Sequence, residues 1–80
     1  MKNEDPLLQV VAEVFGLNVE EVDDSSSQDT IRKWDSLGMI NLISEIELRF
    51  DVQFDLAELV LFKNVGIIRT LLIEKGVSFD

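Results

Sequence analysis

DSLGMINLISEIELRF, residues 35–50, is the most strongly patterned stretch of this chain. Its apolar side chains recur at steps of three and four residues, the spacing that places side chains on one face of an α-helix. Asp35 is a suitable N-cap, because its carboxylate can accept the free backbone N–H groups of a first helical turn. We therefore predict a helix that begins at Ser36 and ends near Phe50.

On the N-terminal side, a first helix is predicted over residues 5–15. Asp5 can cap it, and Pro6 suits the first turn, where a missing N–H has no cost. Its apolar residues repeat at helical spacing: Leu7, Val10, Val11, Val14 and Phe15. Gly16 can then adopt the left-handed conformation that commonly follows a helix C-terminus.

On the C-terminal side, two more helices are predicted. Residues 55–58, DLAE, have the Asp-x-x-Glu form of a capping box, which indicates a short third helix. Asn64 can cap a fourth helix that ends at Lys75 and Gly76. The apolar stripe of this fourth helix consists of Val65, Ile68, Leu71 and Leu72. Residues 77–80 are expected to form a loose tail.

Residues 16–35 form a long connection between the first and second helices. Val19 and Val22 are apolar points of attachment in it, and Trp34 is expected to anchor its end in the core. The acidic and serine-rich run between them has no helical periodicity. Residues 23–35 lack the glycine and the terminal glutamate of a calcium-binding loop, so no metal site is expected. A loop of about 20 residues in a small domain is commonly functional.

Together these elements predict an all-α fold. It is a small four-helix bundle with three longer helices, a short third helix and a long loop between helices one and two. Eighty residues leave little room for a second domain, so residues 1–80 are expected to form one. No apolar run approaches the ~20 residues of a membrane span, and the N-terminus has no apolar signal core. We therefore expect a cytoplasmic protein.

The second helix has more apolar surface than one core-facing stripe requires. Its core stripe consists of Met39, Leu42, Ile43, Ile46 and Phe50. Its polar side consists of Gly38, Asn41, Glu45 and Arg49. Leu37, Ile40 and Leu48 lie outside the stripe on a helical wheel, in a sector shared with Glu47. We expect Leu37 and Ile40 to be exposed, and Leu48 to pack under the long loop or the third helix.

Charge and missing residue types exclude several classes of function. The chain has 16 acidic and 7 basic residues and a formal net charge of −9. This charge disfavours nucleic acid and anionic membranes as partners, and it favours a basic protein surface. Because the chain has no Cys and no His, it can form no disulfide, thiolate metal site, cysteine nucleophile or Ser-His-Asp triad. We expect a monomeric binding protein rather than an enzyme.

Ser36 has no histidine base in its own chain, but the motif around it resembles a known family. WDSLG, residues 34–38, followed by an amphipathic helix, resembles the prosthetic-group site of acyl carrier proteins. The resemblance extends over most of the chain, including the end of the first helix, the long loop and residues 61–65. It implies that Ser36 carries 4′-phosphopantetheine, with Asp35 and Leu37 as the flanking residues of the motif.

The resemblance also implies the chemistry and the partners. A phosphopantetheinyl transferase using coenzyme A and Mg²⁺ attaches the arm to Ser36, and the thiol of the arm then carries an acyl group as a thioester. A helix N-terminus suits the phosphodiester, because its free N–H groups and the macrodipole are positive there. Acyl- or aminoacyl-loading and acyl-processing enzymes are expected to have basic docking patches and to contact Leu37, Ile40 and Glu47.

Ser36 is predicted to be the sole attachment site among the neighbouring serines. Ser25, Ser26 and Ser27 lie in the acidic loop, where no helix begins. Ser44 lies within the predicted second helix, away from its open N-terminus.

The sequence departs from the carrier proteins of fatty-acid synthesis. In those proteins acids commonly follow the serine early in the second helix, whereas this chain has Gly38 and Asn41 there. Trp34 looks more like discrete carriers of secondary-metabolite, aminoacyl or surface-polysaccharide pathways. We expect an acyl carrier of a specialised pathway or of fatty-acid or polyketide-type synthesis. Two alternatives remain open: an aminoacyl or peptidyl carrier loaded by an adenylating enzyme, and an unmodified acidic helical module that binds proteins.

Overall fold

The computed structural model describes residues 5–79, and these residues form an all-helical fold. The helices are α1 (Pro6–Phe15), α2 (Ser36–Phe50), α3 (Leu56–Leu59) and α4 (Val65–Glu74). The predicted bundle, with a short third helix and a long loop after the first, is confirmed. The loop also contains one turn of 3₁₀ helix at Val19–Glu21, which was not predicted. This turn begins where the Asn18 N–H donates to Glu21 Oε1 at 2.9 Å.

The helix ends follow from local capping. Asp5 Oδ1 accepts the Leu7 and Leu8 N–H groups at 3.0 and 3.2 Å, and Gly16 ends α1 with a φ of 68°. Asp51 ends α2 in the same left-handed region, with a φ of 55°. Asp55 and Glu58 form the predicted capping box of α3, and Asn64 Oδ1 caps α4 by accepting the Ile67 N–H at 2.9 Å.

One core of apolar side chains joins α1, α2, α4 and the loop. Leu42 and Ile46 of the predicted α2 stripe have no exposed surface, whereas Met39, Ile43 and Phe50 are partly buried at its edges. The remaining buried apolar residues are Leu7, Val10, Val11, Ala12, Phe15, Val22, Ile31, Trp34, Phe62, Val65, Ile68, Leu71 and Leu72. Val19 packs at the edge of this core, so both predicted points of attachment in the loop are confirmed.

The long loop is bonded to the first turn of α4. The Val65 N–H donates to the Ser26 carbonyl at 3.0 Å, and the Gly66 N–H donates to the Asp24 carbonyl at 2.8 Å. Two of the orphan donors of α4 are therefore satisfied by the loop backbone. Arg69 adds a side-chain connection, since its guanidinium lies 2.8 Å from Asp24 Oδ1 and 2.9 Å from Asp5 Oδ2.

The C-terminal tail is not loose, which corrects the prediction for residues 77–79. The Val77 N–H donates to the Leu72 carbonyl at 3.0 Å, and the Phe79 ring lies 5.9 Å from the Phe50 ring. The Arg69 guanidinium lies over the Phe79 ring at 4.9 Å. The two Phe79 contacts join residues distant in sequence, so local composition did not predict them. Residue 80 lies outside the described residues.

The expectation that Leu48 packs under a neighbouring segment is wrong. Its side chain is 76% exposed. The long loop is bonded to α4, and α3 has only four residues, of which Leu56 is itself 82% exposed. Leu48 therefore extends the exposed apolar side of α2 that begins at Leu37.

Candidate functional site

Ser36 is the first residue of α2, and it is exposed. The Asp35 carboxylate caps the helix by accepting the Gly38 N–H at 2.9 Å. The Ser36 and Leu37 N–H groups lie at the positive, open end of the helix, where no intrahelical acceptor exists. An exposed hydroxyl beside these donors can bear a phosphodiester with favourable electrostatics.

Gly38 holds the end of the loop against α2, and its predicted place on the polar side is wrong. It is buried. A Cβ at this position would clash with the Lys33 carbonyl oxygen and would lie 2.9 Å from Phe15 Cε1. The sequence signal was a glycine inside a helical pattern, which often indicates a close approach of another segment.

Trp34 anchors the loop in the core, as predicted. It is 2% exposed, and its ring stacks on Phe15 with centroids 5.5 Å apart. The Trp34 N–H donates to the Ile31 carbonyl at 3.1 Å. Its indole Nε1 is buried without a hydrogen-bond partner among residues 5–79. The position of Ser36 is thus set by a buried residue two places before it and a buried glycine two places after it.

Leu37 and Ile40 are exposed, as predicted, with 69% and 60% of their surfaces accessible. Together with Leu48 they form what we call the apolar ridge of α2. Glu47 lies beside this ridge, but it has a bond within the molecule: the Phe54 N–H donates to Glu47 Oε2 at 2.9 Å. Glu47 therefore also fixes the segment that follows α2.

Most of the charges on and around α2 are paired. Arg49 lies 2.6 Å from Glu13 and 3.2 Å from Glu45, and its hydrogen bond to Glu13 lowers the pKa of that carboxyl. Glu58 of α3 is paired with Lys75, the C-cap residue of α4, whose ammonium lies 2.9 Å away. This hydrogen bond lowers the pKa of Glu58. The turn before Ser36 differs, because its two exposed basic side chains, Arg32 and Lys33, have no ion pair within residues 5–79.

The other serines near Ser36 differ from it in their surroundings. Ser25 Oγ donates to Asp23 Oδ1 at 2.6 Å, and this bond lowers the pKa of Asp23. Ser26 is buried, with 5% of its surface exposed, and Ser27 Oγ accepts the Asp29 N–H at 3.1 Å. Ser44 is exposed but lies in the middle of α2. None of these four serines begins a helix.

Two properties of residues 5–79 concern metal binding and membranes. In that part of the chain no three acidic, His or Cys side chains are grouped so that they could hold a metal ion. None of the helices described there has the length and apolar character needed to cross a membrane.

Comparison with known proteins assigns the family. A family model described as a phosphopantetheine attachment site matches residues 5–68. The solution NMR structure of a holo acyl carrier protein from Geobacter metallireducens is similar, with 33% sequence identity and a TM-score of 0.80. The alignment covers 94% of this chain and 86% of that one. A search of curated proteins gave no match.

The chain thus belongs to the phosphopantetheine attachment-site family, and its fold is that of acyl carrier proteins. Its cofactor is covalently attached 4′-phosphopantetheine. The residues around the N-terminus of α2 fit this group, because they combine an exposed hydroxyl with a positive helix end.

Proposed function

We propose that this protein is an acyl carrier protein in which Ser36 bears the 4′-phosphopantetheine arm. Acyl intermediates are held as thioesters and delivered to partner enzymes. The observation that carries the proposal is the exposed Ser36 at the first position of α2, directly after its N-cap Asp35. Residues 1–80 form a single carrier domain, and the protein is cytoplasmic and monomeric.

The chain is not itself an enzyme in this proposal. It has no His, and the carboxylate of Asp35, next to Ser36, already accepts a hydrogen bond from the Gly38 N–H. The base and Mg²⁺ are therefore supplied by a phosphopantetheinyl transferase that also binds coenzyme A. The Ser36 oxygen forms the new phosphoester bond, its proton passes to the base of the transferase, and the nucleotide part of coenzyme A leaves. When attached, the arm supplies the thiol that this chain lacks.

The enzymes that act on the arm contact the N-terminal half of α2 through Leu37 and Ile40, with Glu47 at the edge of the contact. Two exposed apolar side chains next to the modified residue support this assignment, since apolar anchors commonly dominate interface energies. The net charge of −9 favours loading and processing enzymes with basic docking patches by long-range steering. Gly38, Asn41 and Trp34 favour a specialised biosynthetic pathway over fatty-acid synthesis, and they leave an aminoacyl or peptidyl carrier as the second candidate.

Intact mass spectrometry tests the attachment. After co-expression with a broad-specificity transferase, the mass of the protein should rise by one phosphopantetheine unit. Ser36→Ala should abolish the rise, whereas Ser44→Ala, which removes another exposed serine of α2, should leave it intact. Tandem mass spectrometry should locate the group on Ser36. An unmodified wild-type protein would instead favour an acidic helical module that binds proteins.

Transfer kinetics test the contact surface. Leu37→Ala and Ile40→Ala should each slow modification several-fold and leave the melting temperature nearly unchanged, because both side chains are exposed. Leu48→Ala is the matched control, since Leu48 is equally exposed but lies ~16 Å further along the helix than Leu37. Glu47→Gln keeps an acceptor for the Phe54 N–H and removes the charge, so it should slow transfer mainly at low salt.

Core truncation provides the stability reference for this series. Leu42→Ala should cost about 2–5 kcal/mol, because Leu42 is fully buried. Met39 and Ile43 are weaker references, since both are only partly buried. An equal loss of stability in Leu37→Ala and Leu42→Ala would contradict an exposed recognition surface.

A further inference from the structure

The loop reaches α2 through a turn with two exposed basic side chains. The Trp34 N–H donates to the Ile31 carbonyl and closes this turn. Ile31 and Trp34 are 5% and 2% exposed, so both ends of the turn are fixed in the core. Arg32 and Lys33 lie at its tip, where both are exposed. We call residues 31–34 the basic turn.

The basic turn is packed directly on the first turn of α2. The Lys33 carbonyl lies so close to Gly38 that a side chain there would clash with it. Gly38 is two residues after Ser36, and Arg32 is four residues before it. Gly38 is thus the residue that allows the basic turn to lie against the first turn of α2, which begins with Ser36.

Arg32 is not committed to any bond within the described part of the molecule. Arg49, Arg69 and Lys75 each lie within 3 Å of a carboxylate oxygen. Neither Arg32 nor Lys63 has such a partner within residues 5–79, and the Lys33 ammonium lies near Gly16, at the negative C-terminal end of α1. Within residues 5–79, Arg32 is therefore a cation without an ion-pair partner, four residues before Ser36 in the chain.

In the segment that runs from the basic turn into α2, basic side chains outnumber acidic ones. Residues 30–44 contain two basic side chains and one acidic one, although the whole chain has a net charge of −9. The single acid is Asp35, which accepts the Gly38 N–H. The acids of α2 lie further along the helix, where Glu45 is paired with Arg49 and Glu47 accepts the Phe54 N–H. The segment that bears Ser36 therefore presents exposed apolar and basic side chains, and the exposed acid that precedes it is Asp29, three residues before Arg32.

We propose that the basic turn is a recognition element for an acidic rim on the partner enzymes that act at Ser36. Arg32 pairs with carboxylates of the partner, while Leu37 and Ile40 enter the adjacent apolar part of the contact. This combination fits protein interfaces, in which arginine and apolar side chains are enriched and charges of opposite sign face each other. The inference rests on the proposed function, because it requires enzymes that dock at Ser36.

Charge acts on docking over two ranges of distance. The net charge of −9 acts at long range and steers the carrier toward basic regions of a partner. Screening limits that effect beyond about 10 Å at ordinary salt, so the charges next to Ser36 decide the fit at contact. A basic patch of the partner directly opposite Arg32 would be repelled.

Transfer of phosphopantetheine by a purified broad-specificity transferase, with coenzyme A as donor, tests the proposal. Arg32→Glu should lower kcat/KM for the carrier at least roughly threefold at low salt, by removing an attraction and adding a repulsion. Arg32→Lys should retain most of the wild-type rate. Lys63→Glu is the matched control, because Lys63 is exposed, has no ion-pair partner among residues 5–79, and gives the same change in net charge. Circular dichroism should give the same helix content for all four proteins.

The remaining outcomes each overturn the inference. A faster reaction of Arg32→Glu means that the partner surface opposite Arg32 is basic. Equal slowing of Arg32→Glu and Lys63→Glu assigns the effect to overall charge, and an altered KM for coenzyme A assigns Arg32 to the small-molecule anion. Equal rates for wild type and Arg32→Glu overturn this inference alone, whereas an unmodified wild type overturns it together with the proposed function.

Discussion

Replacing Gly38 by alanine should destabilise the protein by displacing the basic turn from α2. The added Cβ would clash with the Lys33 carbonyl oxygen and lie 2.9 Å from Phe15 Cε1. The carbonyl belongs to a backbone turn whose two ends, Ile31 and Trp34, are buried. A flexible side chain could rotate away from the new methyl group, but this turn can yield only by loosening its anchors in the core.

Two opposing terms determine the size of the effect. Alanine is favoured over glycine in a helix by about 1 kcal/mol. Forcing an extra methyl group into a packed region usually costs about 1–3 kcal/mol, and a backbone obstacle places Gly38→Ala in the upper part of this range. We expect a net loss of about 1–2 kcal/mol, which lowers the melting temperature by roughly 4–16 °C for a domain of this size.

The assay is thermal and urea unfolding followed by circular dichroism, with Gly66→Ala as the matched control. Gly66 also lies in the first turn of a helix, but a Cβ there would lie 3.3 Å from both Asn64 Oδ1 and the Asp24 carbonyl, which is tight without being a clash. The stability of the Gly66→Ala variant should differ from that of the wild type by less than about 1 kcal/mol, because the gain in helix propensity offsets the tighter contact.

Fluorescence gives a local readout of the same substitution. The chain has a single tryptophan, and Trp34 stacks on Phe15, whose Cε1 the new methyl group would approach. Gly38→Ala should shift the native emission of Trp34 to longer wavelength, and Gly66→Ala should not. Wild-type stability of Gly38→Ala, or equal behaviour of the two variants, would refute the reasoning.

Three further predictions concern the charged groups. Arg69→Met should lower the free energy of unfolding in urea by about 1 kcal/mol or more, since it removes a side chain that is 18% exposed and leaves Asp5 and Asp24 without their shared partner. Arg49→Met, at a site 40% exposed, should cost clearly less than Arg69→Met because solvent screens the pair, and equal losses would contradict this ranking. The hydrogen bond from Lys75 lowers the pKa of Glu58 below its ordinary value of 4.5, so its stabilising effect is present above that pH and is lost as the pH falls through the folded-state pKa. The difference in melting temperature between wild type and Lys75→Met should therefore shrink on acidification, and a constant difference would argue against this linkage. Added NaCl or a millimolar divalent cation should raise the melting temperature by screening the repulsion among the acids of the loop, Glu20, Glu21, Asp23 and Asp24. A flat response would count against repulsion, and a saturable rise specific to one divalent ion would indicate a discrete cation site.

The helices could be predicted from sequence because their ends depend on neighbours within three residues. Asp5, Asp35, Asp55 and Asn64 each cap the helix that the pattern assigned to them. The attachment motif is equally local, since an N-cap, a serine and an exposed leucine are consecutive in the chain. Periodicity also identified the fully buried positions of α2, Leu42 and Ile46.

The incorrect predictions concern packing between segments rather than the pattern within one helix. A helical wheel describes one helix in isolation, so it could not show that no segment covers Leu48 or that the loop covers Gly38. Local composition likewise missed the packing of Phe79 on Phe50 and Arg69, residues 29 and 10 positions away. Such contacts depend on how the elements are arranged in space, which the spacing of residues along the chain does not encode directly.

Sequence alone therefore established the four helices, their N-caps and the exposed serine, because these features arise from backbone bonds and side-chain periodicity over a few residues. The surroundings of that serine were set by packing over longer distances. Trp34 stacks on Phe15 of α1, and the backbone of the basic turn packs closely against Gly38. Arg32 has no carboxylate partner within residues 5–79. The physical reason is that burial and ion pairing depend on which surfaces meet when α1, α2, α4 and the loop close around one core.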